Sequence, residues 1–417
     1  MVLANREMLI CDLTQSYAPV GGGGVSTYLR EKRRHILERT GHRLLQIVPG
    51  RQDKVVERGR HIWVEVGAEQ VRGSPNYRFI LRTGAVREVL EHYRPDIIES
   101  LCPWVLPWTA INYRRAHPET TLVAGYHTDF PNVHIHRVGS EIFGEKAADV
   151  LRAATVAYAE RTYRAFDRVY ALNDPVRAQL AEWGIHHVDV LSLGVDTDHF
   201  SPARRDPAFR QKLGLEGHGP LLTYAGRIDN EKRADRVVEM FRRLPDGFGA
   251  ALVMLGDGKL RDRLLAQTRG MPVALPGFVN DRDVLAVALA SSDIYVSAMA
   301  DETFGISVIE AQASGLPVVG VASGAMPARV PPRLGRLGPV DDVDAMAAHV
   351  MEVWRGDHQA MGQAARDHVV QRFSWEKTFT RLVGDVYPAA MARMVERRSA
   401  GFGWAGDRGA EWARGVV

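Results

Sequence analysis

The sequence predicts an α/β protein made of two Rossmann-like, doubly wound domains that face a cleft. Three observations predict it. A chain of 417 residues exceeds one hydrophobic core and divides naturally into two domains of about 200 residues. Short apolar runs alternate with helical segments through both halves. In each half a glycine-bearing turn follows a strand, at the carboxyl end where open parallel sheets take ligands.

In the first half, Met8-Leu-Ile-Cys11 reads as a buried strand. Pro19-Val-Gly-Gly-Gly-Gly-Val-Ser-Thr-Tyr28 follows, with Ser26 or Thr27 able to cap a helix. Strand, glycines, helix is the geometry of a phosphate loop, in which four consecutive glycines let the backbone approach a ligand; a glycine run by itself is more often a plain flexible turn. The next helix carries Arg30, Lys32, Arg33, Arg34 and Arg39, with Arg43 beyond it. Two readings stay open: peripheral association with an anionic membrane, or an exposed helix with Glu31 and Glu38 as partial partners. Strands at 42–48, 61–66 and 96–100 alternate with helical segments such as 84–93. The strand 121–125 delivers Tyr126-His127-Thr128-Asp129-Phe130-Pro131 at its carboxyl end, which makes His127 and Asp129 site candidates, although His127 also reads as a satisfied core histidine. His134 and His136 stand two apart without a third ligand at diagnostic spacing, so no metal site is expected. Residues 144–168 read as one long helix and 169–172 and 188–193 as the last strands, closing an N-terminal domain at 1–200. The proline- and charge-rich stretch 201–219 reads as a linker.

In the second half, five strand–helix units from 220 to 321 belong to a domain at 220–372. Leu221-Leu-Thr-Tyr-Ala-Gly-Arg-Ile-Asp-Asn-Glu-Lys232 is a strand ending at Gly226. Arg227 leaves the sheet there and Lys232 falls on the first turn of the next helix, so two cations converge as a diphosphate would require. Taken alone, both are ordinary surface charges. Gly277-Phe278-Val279 follows a strand at 273–275. In Asp301-Glu-Thr-Phe-Gly-Ile-Ser-Val-Ile-Glu-Ala311, Phe304, Gly305 and Ile306 open a helix, because Ile306, Ile309 and Ala313 fall at helical spacing and Gly315 then Pro317 stop it. Its free amides form a phosphate site. Glu302 and Glu310 on either side are hydroxyl acceptors, suited to a ligand whose diphosphate lies between two sugars. The bland alternative is an acid favouring the helix dipole plus a solvated mid-helix glutamate. Ser374 caps a helix over 373–394. Residues 395–417, with Trp404 and Trp412, form a tail expected to be poorly ordered or bound to a partner.

Composition narrows the function. With 46% hydrophobic and 25% charged residues the chain is an ordinary globular protein, and a formal charge of +3 is too small to argue for nucleic acid. Two cysteines, Cys11 and Cys102, exclude a disulfide framework and suit a reducing compartment. No export signal or bilayer-length apolar run is visible, so the expected location is cytoplasmic, at the inner face of the cell membrane if the basic helix is an anchor.

The strings GRIDNEK and ETFGISVIE, the latter an E-x(7)-E pattern, resemble the paired signatures of the family-four retaining glycosyltransferases of GT-B fold, also described as glycosyl transferases group 1. Gly256-Asp257-Gly258, Gly277-Phe278-Val279, Leu193-Gly-Val-Asp-Thr-Asp-His-Phe-Ser-Pro202 and the N-terminal glycine loop extend the resemblance to about residue 390. It implies a nucleotide-sugar donor, a UDP-sugar ahead of GDP-mannose, and transfer with anomeric retention to a hydroxyl of a membrane lipid, glycolipid or glycan. It implies catalytic roles for His127, Arg227, Lys232 and Glu302. Donor contacts are implied at Gly23, Gly24, Asp129, Gly226, Gly277, Phe278, Val279, Phe304, Gly305, Ile306 and Glu310, the Gly277 turn pairing the base edge through its backbone. No cofactor and no divalent ion are expected, since no DxD-like pattern occurs at these positions. Gly324-Ala-Met-Pro327 departs from the glycine pair and acidic residue of many relatives. Two other readings remain: a nucleotide-sugar epimerase of the same fold, which needs no acceptor, and a non-catalytic sugar-nucleotide sensor.

Overall fold

The computed structural model describes residues 6–15, 17–18, 23–71 and 78–399, with the backbone alone at 133, 134, 137, 138 and 141. Gly21 and Gly22, the His134 side chain, and Trp404 and Trp412 lie outside the described residues. The chain divides into two compact units, one from Met1–Leu191 and Phe379–Val417, the other from Ser192–Thr378. The divisions thus fall at 191/192 and 378/379, where the sequence reading places them near 200 and 373. The stretch read as a linker is fastened to the second unit, because Arg204 bonds Asp283 at 2.7 Å and Arg205 bonds Asp293 at 3.1 Å. The two ends of that unit also meet. Val195 N–H donates to Phe373 O at 2.9 Å, the Thr378 hydroxyl donates to Ser192 O at 2.8 Å, and a Cβ on Gly194 would lie 2.2 Å from Trp375 N. Ser374 does cap the helix Trp375–Arg381, accepting from Lys377 N at 3.2 Å.

The first unit is built on an eight-stranded sheet. Its order is Val188–Val190, Arg168–Ala171, Thr121–Tyr126, Ile97–Ser100, Leu9–Leu13, Arg43–Gly50, His61–Gly67, Lys54–Arg58. All pairs are parallel except the last. Central strands such as Leu9–Leu13 are buried along their whole length, as helices on both faces of a parallel sheet require. The antiparallel edge strand Lys54–Arg58 escapes the sequence reading because it is mostly exposed and carries no apolar run. The helix expected at 144–168 is Glu145–Tyr163, preceded by a separate helix Arg137–Phe143. Gly144 between them sits at φ 81°, which breaks the helical path, and Asp167 N–H turns to pair with Leu122 O at 2.8 Å. The C-terminal helix Tyr387–Ser399 runs through the start of the expected tail, since Met394 is buried and Arg397 bonds Asp167 at 3.2 Å.

Lys32 is not part of a basic surface. Tyr28, Lys32 and Ile36 share one buried face of the helix Gly24–Arg39. The Lys32 ammonium is fully buried, paired with Asp12 and, at 2.9 Å, with Glu99. Burial works against its charge, but the two carboxylates outweigh that and hold its pKa above the ordinary value. Glu99 also accepts from Tyr28 at 2.7 Å, Tyr170 at 2.8 Å and Tyr387 at 2.5 Å, so the C-terminal helix is joined to the first unit through the same carboxylate.

Three histidines of this unit are held neutral. Burial, the largest cause in each, pushes His61, His127 and His187 down to about 4, with Arg33 and Arg58 adding at His61 and Arg393 at His187. The unfolded chain takes protons on these rings near 6.5 and the folded one does not until about 4. Stability is therefore expected to be present above pH 6.5 and lost as pH falls through that window, by up to about 1.4 kcal/mol per pH unit per histidine. Urea melts of the first-unit transition between those pH values, which should show net proton uptake on unfolding, check it.

The second unit carries a six-stranded, all-parallel sheet in the order Val273–Gly277, Ala251–Leu255, Leu221–Ala225, Ile294–Ser297, Val318–Val321, Gly335–Gly338. Counted along this unit the order is 3-2-1-4-5-6. Its switch point, where a ligand crevice forms, lies between Leu221–Ala225 and Ile294–Ser297. The sixth strand has too weak a strand signal to be read from sequence. It begins with a glycine by necessity, since a Cβ on Gly335 would lie 1.9 Å from Val318 O.

Candidate functional site

Both strands at the switch point end in loops that carry the charged residues singled out above. After Leu221–Ala225 the chain is locked to the neighbouring strand's exit. Gly226 N–H donates to Leu255 O at 3.0 Å, Ile228 N–H to Asp257 O at 2.9 Å, and Leu260 N–H returns to Ile228 O at 3.0 Å. The approach is so close that a Cβ on Gly256 would lie 1.8 Å from Gly226 O, and one on Gly258 2.4 Å from Ile228 O. These two glycines are a steric requirement of the Arg227 loop.

Arg227 is half-exposed and forms ion pairs with Asp229 at 2.5 Å and Glu231 at 2.7 Å, while its carbonyl accepts from Tyr224 OH at 2.5 Å. Lys232 does not lie on a helical first turn. The helix begins at Ala234, after Arg233 at φ 50°, and Lys232 belongs to a turn closed by Asp229, whose Oδ1 accepts from Lys232 N at 2.9 Å. That turn aims the ammonium across the switch point to Glu302 Oε2 at 3.2 Å and Met299 Sδ at 2.8 Å.

Glu302 serves two partners. Its Oε1 accepts from Gly305 N at 3.1 Å, which caps the helix Ile306–Ala313, and its Oε2 faces Lys232. The Gly305 amide, expected to hold phosphate, is thereby committed to Glu302, and Gly305 itself stands at φ 84° before the helix. The Glu302 carbonyl accepts from Ala325 N at 2.7 Å, and a Cβ on Gly324 would lie 2.5 Å from it, so Gly324-Ala-Met-Pro327 forms the wall behind this residue. Phe304 is buried, with the Arg329 guanidinium 4.1 Å from its ring and Arg329 Nε donating to Phe304 O at 2.9 Å. Burial pulls Arg329 down to about 10, opposed by Glu302.

Glu310 is buried rather than solvated, and Arg282 Nη2 reaches it at 3.1 Å. Arg282 lies over the Phe200 ring at 4.9 Å. At the third strand exit Gly277 stands at φ 97° and accepts from Gly256 N at 3.0 Å; Phe278 beside it is exposed and Val279 partly so. Arg227, Lys232 and Glu302 thus come from loops, Glu310 from the helix Ile306–Ala313 and the Gly277 turn from a strand end, all at or beyond the carboxyl ends of strands in one sheet. A cation beside a carboxylate at a strand-end crevice can bind a diphosphate with one group and sugar hydroxyls with the other.

In the first unit Gly23 precedes, and Gly24 opens, the helix Gly24–Arg39. His127 Nε2 lies 3.0 Å from Tyr170 OH, whose own proton goes to Glu99. Tyr170 then accepts, which fixes His127 as the Nε2–H tautomer with Nδ1 as the acceptor nitrogen. Asp129 accepts from Tyr126 OH at 3.1 Å, Asn132 at 2.7 Å and Gln179 at 3.1 Å, three donors that hold it in place. His136 faces Asp149 at 3.1 Å and Glu145 at 3.6 Å, both on the helix Glu145–Tyr163.

Sequence reasoning missed Arg282, Asp229, Arg329, and the set Lys32, Glu99 and Tyr170. Only Lys32 had a signal, its i, i+4 spacing with Tyr28 and Ile36. Asp229 acts within three residues of Arg227 and Lys232, and the rest depend on elements far apart in sequence.

Residues 22–199 match the model of Glycosyltransferase Family 4, and residues 205–368 that of Glycosyl transferases group 1. The chain is 31% identical over 314 residues to a GDP-mannose-dependent alpha-(1-6)-phosphatidylinositol dimannoside mannosyltransferase of Mycobacterium tuberculosis, covering 75% of this chain and 79% of that one. It is 28% identical to a GDP-mannose-dependent alpha-mannosyltransferase of Mycolicibacterium smegmatis, covering 93% and 98%. Among solved structures it is similar to sucrose-phosphate synthase from Thermosynechococcus elongatus, with a TM-score of 0.75 at 20% identity over 93% of this chain and 100% of that one. That likeness shows the fold, the α/β GT-B class.

Proposed function

The chain belongs to the family-four, group 1 glycosyltransferases and uses a nucleotide-sugar donor, and on that premise we propose that it transfers mannose from GDP-mannose, with retention, to a hydroxyl of a membrane glycolipid. The observation that carries the reading is the Lys232–Glu302 pair across the switch point, with Glu310 one helical stretch further on. The sequence expectation of a UDP-sugar gives way to GDP-mannose, because that donor stands in the names of the relatives matched over most of both chains.

In this reading Lys232 and Arg227 bind the diphosphate, Glu310 accepts the ribose hydroxyls, and Glu302 lies beside the sugar. The bond from the anomeric carbon to the diphosphate oxygen breaks as the acceptor oxygen bonds on the same face, and the acceptor proton goes to the departing phosphate. His127, kept neutral by burial and held by Tyr170, is the first unit's candidate for a contact with the transferred sugar. The test supplies GDP-mannose, UDP-glucose or UDP-N-acetylglucosamine singly, each with labelled sugar, together with a membrane lipid extract. A labelled glycolipid from GDP-mannose alone, with an α-linkage by NMR, supports the proposal; product from a UDP-sugar alone overturns the donor; free or isomerised nucleotide sugar without glycolipid overturns transfer.

The two cations are not expected to matter equally. Lys232→Ala removes a partly buried charge and should lower kcat/KM by about ten- to a hundredfold, the scale of a charge-assisted contact. Arg227→Ala removes a half-exposed side chain already shared by two carboxylates and should cost less than about tenfold. Steady-state kinetics, with GDP affinity falling more than GMP affinity in both variants, check the assignment.

A further inference from the structure

The first unit contains a cavity of about 460 Å3 lined by Arg164, Arg168, Gly184, His186, His187 and Arg393. It lies away from the sheet end that carries His127. Arg168 begins its strand and pairs in register with Val123, whereas Tyr170 and Ala171 pair with Gly125 and Tyr126 next to His127. Two or three residues at about 3.3 Å each place Arg168 some 10 Å back along the sheet.

Among the described residues, none of those lining the cavity carries a carboxylate. Arg164 is bonded at 3.0 Å to Glu160, whose carboxylate lies beside Gly184 at the cavity's edge, but among the described residues Arg168 and Arg393 have no ion pair. The Arg168 Nε is buried without a hydrogen-bond partner, a cost that a bound acceptor would remove. His187 is buried, donates from Nε2 to Tyr163 O at 3.1 Å, and feels the positive fields of both Arg393 and Arg168. Arg164, His186 and Arg393 are exposed and form the mouth.

From the cavity's guanidinium lining, the absence of carboxylates among its lining residues and the orphaned Arg168 Nε, we propose that it is a second anion site, separate from the donor loops, which takes a phosphate ester. Its volume is in the range of small-molecule sites and larger than a bare phosphate needs. A soluble sugar or glycerol phosphate and a phospholipid headgroup share this chemistry, with Arg168 and Arg393 as the bidentate donors.

The test titrates the full-length protein with inorganic phosphate, with glycerol 3-phosphate, and with phosphatidylglycerol vesicles against phosphatidylcholine vesicles. Wild type is compared with Arg168→Met plus Arg393→Met and with Arg227→Ala plus Lys232→Ala. Binding weakened by about a hundredfold in the first double variant and kept in the second supports the site, each charge-assisted contact being worth about tenfold. Soluble phosphates binding as well as vesicles identify a metabolite, and vesicles alone a lipid. Binding lost only in the second double variant assigns the anion to the donor loops and overturns the proposal, as does the absence of binding to any probe. Should the first double variant fail to unfold cooperatively, the His186 and His187 ring resonances of wild type decide: they must shift on titration with glycerol 3-phosphate at saturating GDP, and their constancy overturns the site. Neither result depends on which sugar nucleotide the enzyme uses.

Discussion

Glu302→Gln is expected to lower kcat by about two to three orders of magnitude while leaving GDP affinity within a few fold. The substitution keeps an oxygen to accept from Gly305 N, so the helix cap survives. It replaces the oxygen facing Lys232 with a neutral group and removes the negative charge that would favour the positive anomeric carbon of the transition state, an electrostatic loss of the size seen when one preorganised group is deleted. Glu310→Ala should behave differently. Its carboxylate is buried against Arg282 and would hold ribose equally in ground and transition states, so the donor KM should rise by about tenfold or more with kcat less affected. Calorimetry with GDP and steady-state kinetics on both variants separate the roles. Loss of GDP binding in Glu302→Gln with retention in Glu310→Ala would reverse them, and full activity in both would leave the E-x(7)-E stretch a capped helix only.

Lys32→Met should destabilise the first unit by about 3–5 kcal/mol. Removing the ammonium leaves Asp12 and Glu99 buried without their cation, and an uncompensated buried charge costs far more than an exposed one. Asp12→Asn and Glu99→Gln added to Lys32→Met should recover a large part of the loss, because the net charge of the cluster then returns toward zero. The measurement is the urea midpoint of the first-unit transition, with amide exchange of Leu9–Leu13 as its local report. A change under about 1 kcal/mol would show the charges to be hydrated in solution.

The fold class was legible because parallel strands covered on both faces leave unbroken apolar runs, as Leu221–Ala225 and Leu9–Leu13 do. Arg227, Lys232, Glu302 and Glu310 were legible because strand ends and a helix start fix where short motifs lie. Whom they touch was not. The partner of Glu310 comes from Arg282 on another helix, and the Gly305 amide is taken by a carboxylate three residues earlier. Lys32 was misread because a lysine in a basic run resembles its neighbours, and only Asp12 and Glu99, brought beside it by strands, make burial tolerable. Lys54–Arg58 and Gly335–Gly338 lack the apolar pattern on which strand reading depends.

The meeting of Ser192 with Thr378 and of Val195 with Phe373 has a bearing on how the chain reaches its fold. Seen from the first unit, everything between Leu191 and Phe379 is one long loop, and closing such a loop costs entropy that grows slowly with its length. Once the second unit has folded and clasped its own two ends, that loop is short. The Tyr387–Glu99 bond, remote in sequence, then joins segments already held near each other, so the C-terminal helix reaches the first unit as a local contact.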